Sequence, residues 1–183
     1  MSSKFGSLYR KDEAFVEFFF KVHPEYKDMP EQDQSLIRKL ASMGHLNTEM
    51  IMEGLLPLLQ PDLIRTDVKG MDYFCDPKSK HFHILDESDM KTSSIFYGTN
   101  GCFNGAIGGV DTKLGTLLVA VYNFWKDDID FFQIPYDAYS GKGADISVKG
   151  KQIKFTWNRT HDRYSNNLDF YRVSFEEMIC IND

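Results

Sequence analysis

The run Leu117-Leu118-Val119-Ala120-Val121-Tyr122 constrains this chain more than any other segment. Five of its six side chains are wholly apolar, so a strand formed there reads as buried on both faces. Such a strand lies inside a sheet and needs cover on each side. It extends over residues 114–124. After a turn at Lys126-Asp127-Asp128, residues 129–134 supply another strand.

The cover is legible upstream. In residues 11–22 the apolar positions Phe15, Phe18, Phe19 and Val22 return at helical spacing, and Pro24 ends the run. Residues 31–43 form a second helix on Leu36, Ile37 and Leu40, with Pro30 at its start. A third follows from Asn47, a capping residue, with Met50, Ile51, Gly54, Leu55 and Leu58 on one face and Pro57 near its end. The helical period then stops. Residues 71–75 read as a short strand, 76–80 as a turn and 81–91 as an extended return, which together make an antiparallel hairpin. Residues 97–109 read as a glycine-rich loop without the spacing of a phosphate-binding loop. Residues 145–148 and 152–157 pair as a hairpin across Lys149-Gly150. Residues 158–167 are a polar loop, 168–175 a last strand and 175–181 a closing helix.

The expectation is one mixed α/β domain over residues 1–183, with a central mixed sheet flanked by helices. Residues 1–60 are its helical part, 61–135 its sheet core and 136–183 a strand and loop region. A length of 183 residues suits a single core, and 42% hydrophobic against 26% charged residues is a globular balance. No apolar run approaches the roughly 18 residues of a membrane span, and the amino terminus lacks a signal core. The expected location is cytoplasmic. Cys75, Cys102 and Cys180 are odd in number and widely spaced, which predicts reduced thiols. The net charge of −6 argues against a protein that coats nucleic acid by bulk positive charge, but a local basic surface remains compatible with it.

Polar chemistry concentrates between Asp72 and Lys91. Strand alternation puts Glu87, Asp89 and Lys91 on one face, with Asp72 beside them on the neighbouring strand. Two carboxylates suit Mg²⁺, a hard ion that binds through oxygen. Asp72 and Asp89 are therefore the expected metal ligands. Lys91, held protonated by its acidic neighbours, positions water and offsets charge. Acidic pairs near lysines are also common on surfaces, and an Asp-x-Lys triplet alone carries little weight. His81 and His83 have no third partner at metal-ligand spacing.

The order Asp72, then Asp89-Met90-Lys91-Thr92, resembles the signature of the PD-(D/E)xK nuclease superfamily, which includes most type II restriction endonucleases. The resemblance implies a restriction-endonuclease-like fold and a Mg²⁺-dependent deoxyribonuclease acting on double-stranded DNA, in many members as a homodimer. It implies catalytic roles for Asp72, Asp89 and Lys91, and a further acid from the preceding helix, Glu53 or Glu49. Met71 stands where the family has proline. Asp67 remains open as the first ligand, and Asp86 or Glu87 as the second.

Two segments carry side chains suited to DNA. Asn100 and Asn104, in the glycine-rich stretch, have the chemistry to read adenine. Lys149, Lys151, Lys154, Asn158, Arg159, His161 and Arg163 make up the most basic part of the chain. The contrasting expectation is a non-enzymatic acidic binding or structural protein, which the net charge favours. Phe20 falls off the main helical stripe and is a candidate to face a partner subunit.

Overall fold

The computed structural model describes residues 11–42, 48–66, 68–98, 101–112 and 115–181. Asn47, Asp67 and Asn100 lie outside the described residues. Three helices open the chain: α1 (Lys11–Val22), α2 (Glu31–Ser42) and α3 (Thr48–Leu59). A 3₁₀ turn at Pro24–Asp28 separates the first two. Helix α3 buries Thr48, Ile51, Met52, Leu55 and Leu56, the spacing of one helical face.

Strands β1 (Leu63–Arg65) and β2 (Tyr73–Cys75) form an antiparallel ribbon. A short helix, α4 (Phe82–Leu85), then leads to β3 (Asp89–Ser94). Strands β4 (Phe96–Tyr97), β5 (Phe103–Ile107), β6 (Leu117–Asn123) and β7 (Asp128–Ile134) follow, then α5 (Tyr136–Tyr139). The chain closes with β8 (Ile153–Asn158), β9 (Arg163–Tyr164), β10 (Arg172–Val173) and α6 (Phe175–Met178). Ser174 starts α6 with a reciprocal capping box on Glu177.

Among the described residues the strands make two four-stranded sheets besides the ribbon. The first runs β10-β7-β6-β3, with β3 parallel to β6 and the other pairs antiparallel. The second runs β4-β5-β8-β9 and is antiparallel throughout. Strand β6 is buried at every position. Leu118, Ala120 and Tyr122 pack with Phe18, Phe19, Met52 and Leu55 of the helices. Leu117, Val119 and Val121 pack with Ile107, Ile153, Phe155 and Trp157 of the second sheet. The apolar run is thus covered by helices on one side and by a second sheet on the other. The mixed α/β architecture, the flanking helices and the helical amino-terminal third match the expectation.

Several local expectations are corrected. Residues 82–85 are helical, so the hairpin expected around residues 76–80 is reduced to one antiparallel bridge, Tyr73 with Ser88. The glycine-rich stretch contains β5, an inner strand of the second sheet. Its Gly105 lies where a Cβ would collide with the Phe155 ring, so glycine replaces an inward side chain at that step of the alternation. Residues 145–148 form no strand, and the turn keeps only the Lys149–Gln152 bridge. Residues 168–171 are a 3₁₀ turn, leaving two residues of strand after it. Phe20 is buried in its own core and is not a partner-facing residue. The three cysteines are free thiols, with Cys75 and Cys180 buried and Cys102 exposed. No described helix is long and apolar enough to cross a membrane.

Candidate functional site

Strand β3 is an edge strand, paired with β6 on one side only. On its open side, backbone N–H groups need other acceptors. Met90 N donates to Asp72 Oδ2 at 2.7 Å, and Thr92 N donates to Glu49 Oε2 at 3.4 Å. Asp72 reaches this place because its own N–H, with that of Tyr73, donates to Ser88 O at 3.0 Å. Glu49 reaches it from the first turn of α3, whose Thr48 hydroxyl is 2.8 Å from that of Thr92.

The start of β3 is fixed by a close backbone crossing. Gly115 N donates to Glu87 O, and a Cβ at Gly115 would lie 2.8 Å from Asp86 O. Only glycine permits that approach. It sets the parallel register Asp89 with Leu117 and Lys91 with Val119.

Lys91 is only 7% exposed. Its Nζ lies 2.8 Å from Asp89 Oδ1 and 3.0 Å from Glu49 Oε1, and also donates to Met90 O at 3.1 Å. Asp89 is 3% exposed. Burial pushes its carboxyl up to about 8 despite the opposing pull of Lys91, and the adjacent Asp72 carboxyl, close enough to hydrogen-bond it, pushes the same way. The Lys91 ammonium is held above its ordinary range by Asp89 and Glu49, which outweigh its burial. Glu53, one turn along α3 from Glu49, is raised by burial and then by Asp72; Arg65 holds it at 2.9 Å and acts the other way. The backbone carbonyl of Glu53 accepts from the Tyr73 hydroxyl at 2.8 Å. Four carboxyls therefore meet two cations at this edge.

Asp89 and Lys91 stand side by side on β3, as alternation anticipated, whereas Asp72 reaches them from just before β2 through the single Tyr73–Ser88 bridge and not from a paired strand. Glu49 makes the direct contact with Lys91, and Glu53 stands beside Asp72. The open alternatives fall elsewhere. Asp86 Oδ1 accepts from Cys75 N at 3.0 Å, which turns it toward β2, and Glu87 is exposed at a left-handed backbone position.

A second cluster escaped the sequence reading. His23 Nδ1 lies 3.2 Å from Glu25 Oε1 and 3.6 Å from Glu176 Oε1. One ligand atom from each residue falls within 4.8 Å of the others, a set capable of coordinating a metal ion. Glu176 lies on α6 and is joined to His23 only by the fold, so spacing along the chain gave no sign of it.

The residues expected at DNA gather on the second sheet. Lys154 and Asn158 are on the exposed face of β8. Asn104 sits opposite Thr156 in the register, and its side chain donates to Cys102 O at 2.9 Å. Arg163 of β9 pairs with Asn158. Arg159 and His161 occupy the turn between β8 and β9, while Lys149 and Lys151 precede β8. Lys149, Lys151, Lys154, Arg159 and Arg163 are exposed and have no ion-pair partner among the described residues.

Compared with known proteins, the chain matches no family model, no curated protein and no solved structure.

Proposed function

We propose that this protein is a Mg²⁺-dependent deoxyribonuclease that hydrolyses phosphodiester bonds at the β3 edge. The single observation behind this reading is the excess of carboxyls there, Glu49, Glu53, Asp72 and Asp89 against Lys91 and Arg65. A part-buried acid surplus favours uptake of a proton or a cation. The donor set fits a hard divalent ion, because every available ligand is an oxygen and Asp72, held at 2.7 Å by Met90 N, stands next to Asp89 at the start of β3. Asp72 and Asp89 would hold it. When bound, such an ion polarises the scissile phosphate and makes its water more acidic.

The chain's own residues would do the rest. Lys91 directs its ammonium at Asp89 and Glu49 and is protonated, and it would offset charge on the phosphorane-like transition state. Glu49 fixes that ammonium through its 3.0 Å contact. Unpaired cations on β8 and β9 would carry the phosphates of the DNA. The type II restriction activity on double-stranded DNA that the resemblance implies is the finer form of this proposal.

The test is cleavage of plasmid DNA by purified protein in Mg²⁺ or in EDTA, with Asp89→Asn and Lys91→Met alongside. The expected result is Mg²⁺-dependent cutting, reduced at least 100-fold in both variants. Cutting that survives Asp89→Asn would refute the assignment.

A second reading has its own observation. Asp72 and Glu49 accept the free N–H groups of Met90 and Thr92, as expected if their task is to close a sheet edge in a non-enzymatic protein. Asp72→Asn separates the two, because an amide oxygen still accepts from Met90 N but ligates a divalent ion poorly. Retained folding with lost cleavage supports the nuclease.

A further inference from the structure

At the far end of the second sheet, a cavity of about 300 Å³ opens beside the β8–β9 turn. Its floor is aromatic and fixed. Phe103 and Trp157 are buried, with ring centres 5.3 Å apart and nearly perpendicular, and Trp157 Nε1 donates to Asp162 Oδ1 at 2.9 Å. Its rim is aromatic and open. The Tyr97 ring is 5.1 Å from Phe103 and the residue is 50% exposed. Trp125 lies beside the cavity, its ring 5.2 Å from that of Phe103, and is 54% exposed. Large exposed rings are costly to leave in water and mark contact surfaces.

Arg159 lines the same cavity, with its guanidinium 5.4 Å from the centre of the Trp125 ring. It has no acidic partner among the described residues. The nearby Arg172 and Lys126 contrast with it, since Asp130 and Asp162 neutralise both. An unneutralised guanidinium stacked on an indole suits a ligand with a flat ring and an adjacent anion. Nucleotides have that chemistry, and stacking platforms with a basic track are the usual means of holding single strands. The track continues through Arg163 and Lys154 on the exposed side of β9 and β8.

We propose that this cleft binds an unpaired base of single-stranded DNA, with the flanking phosphate on Arg159. The Tyr97 ring stacks the base, Phe103 and Trp157 close the space behind it, and Trp125 holds the Arg159 guanidinium at its side. A duplex keeps its bases stacked and cannot offer one to the cleft without melting. The proposal does not require hydrolysis at β3. Tyr97 stands six residues beyond Lys91, roughly 20 Å along extended chain, so the two places can be disabled separately.

The experiment is fluorescence anisotropy with a labelled deoxythymidine oligomer of about ten nucleotides, a length within the usual site size. EDTA is present, so no metal-dependent cleavage can interfere. The expected result is saturable binding that weakens about tenfold or more in Tyr97→Ala and in Arg159→Ala. Both residues are exposed, and thermal melting verifies that each variant folds. Arg159→Lys keeps the charge but loses the planar stack, and should fall between the parent and the alanine variant. Unchanged affinity in both alanine variants would overturn the proposal. Duplex binding of the same sequence that weakens by the same factor in Tyr97→Ala would overturn it too, because a paired base cannot enter the cleft, as would thymidine monophosphate binding as tightly as the oligomer.

Discussion

Two acid–base clusters are built around buried aspartates of the first sheet, Asp130 and Asp89, and they differ in charge balance. Around Asp130, Lys126 approaches one carboxyl oxygen at 2.8 Å, Arg172 bonds the same oxygen, and the Tyr164 hydroxyl donates to the other at 2.5 Å. Asp162 completes the set by contacting both cations. Two carboxylates meet two cations, and every partner is supplied by the fold. At the β3 edge four carboxyls meet two cations, and the deepest of them retains a proton up to about pH 8. A balanced cluster has finished its electrostatic work once the chain folds. An unbalanced one still has affinity for positive charge, and that separates structural charge from charge available for chemistry.

The sharpest way to break the contrast is at the balanced cluster. Asp130→Ala leaves two cations with Asp162 alone and the buried Tyr164 hydroxyl without its acceptor, and should cost about 3 kcal/mol of folding free energy in urea titration. Asp72→Asn at the edge should cost far less, because the acid surplus shrinks as the acceptor is kept. A larger loss in Asp72→Asn than in Asp130→Ala would invert the assignment of roles.

Next in size is the pH dependence. The Asp89 carboxyl is raised in the folded state, so between the usual carboxylate range and about pH 8 the native chain binds more protons than the unfolded one. Stability from this group is complete at low pH and is lost as pH rises toward 8. In EDTA, the melting temperature of the parent should therefore fall from pH 5 to pH 8 relative to Asp89→Asn, in which that slope is absent. Parallel curves would show that the carboxyl is not so held.

A smaller effect sharpens the reading of the surplus as a cation site. Mg²⁺ at tenfold its dissociation constant should stabilise the native state by about 1.4 kcal/mol, raising the melting temperature by about 3–5 °C. The gain should disappear in Asp89→Asn. Calorimetry in buffers of different ionisation enthalpy should show proton release on binding near pH 7. The smallest effect is Glu49→Gln. Its amide oxygen can still accept from Thr92 N, so the stability change should stay below about 1 kcal/mol while cleavage falls, as Lys91 loses one of its two carboxylate partners.

What the sequence revealed follows from the range of its rules. Asp89 and Lys91 were legible as neighbours because strand alternation is strict and local. Asp72 was legible because one antiparallel contact brought it alongside, although most of the hairpin expected to do so is helix. The choice between Glu49 and Glu53 was not legible. Both lie on one face of α3, and the sequence does not say how far along the strand that helix docks. Strand β5 was hidden by Gly105, whose missing side chain is replaced by the Phe155 ring from a strand about fifty positions later. The His23 cluster depends on Glu176 in the same way.

The parallel pairing of β3 with β6 encloses β4 and β5, which belong to the other sheet. Neither sheet can be completed before the other has begun, since the chain between the two parallel strands must leave, meet β8 and return. Many of the stabilising contacts consequently join distant parts of the sequence, a topology associated with slow refolding, on the order of milliseconds to seconds. A truncation before β8 would strip one side of the central apolar strand and leave a chain prone to clump during synthesis.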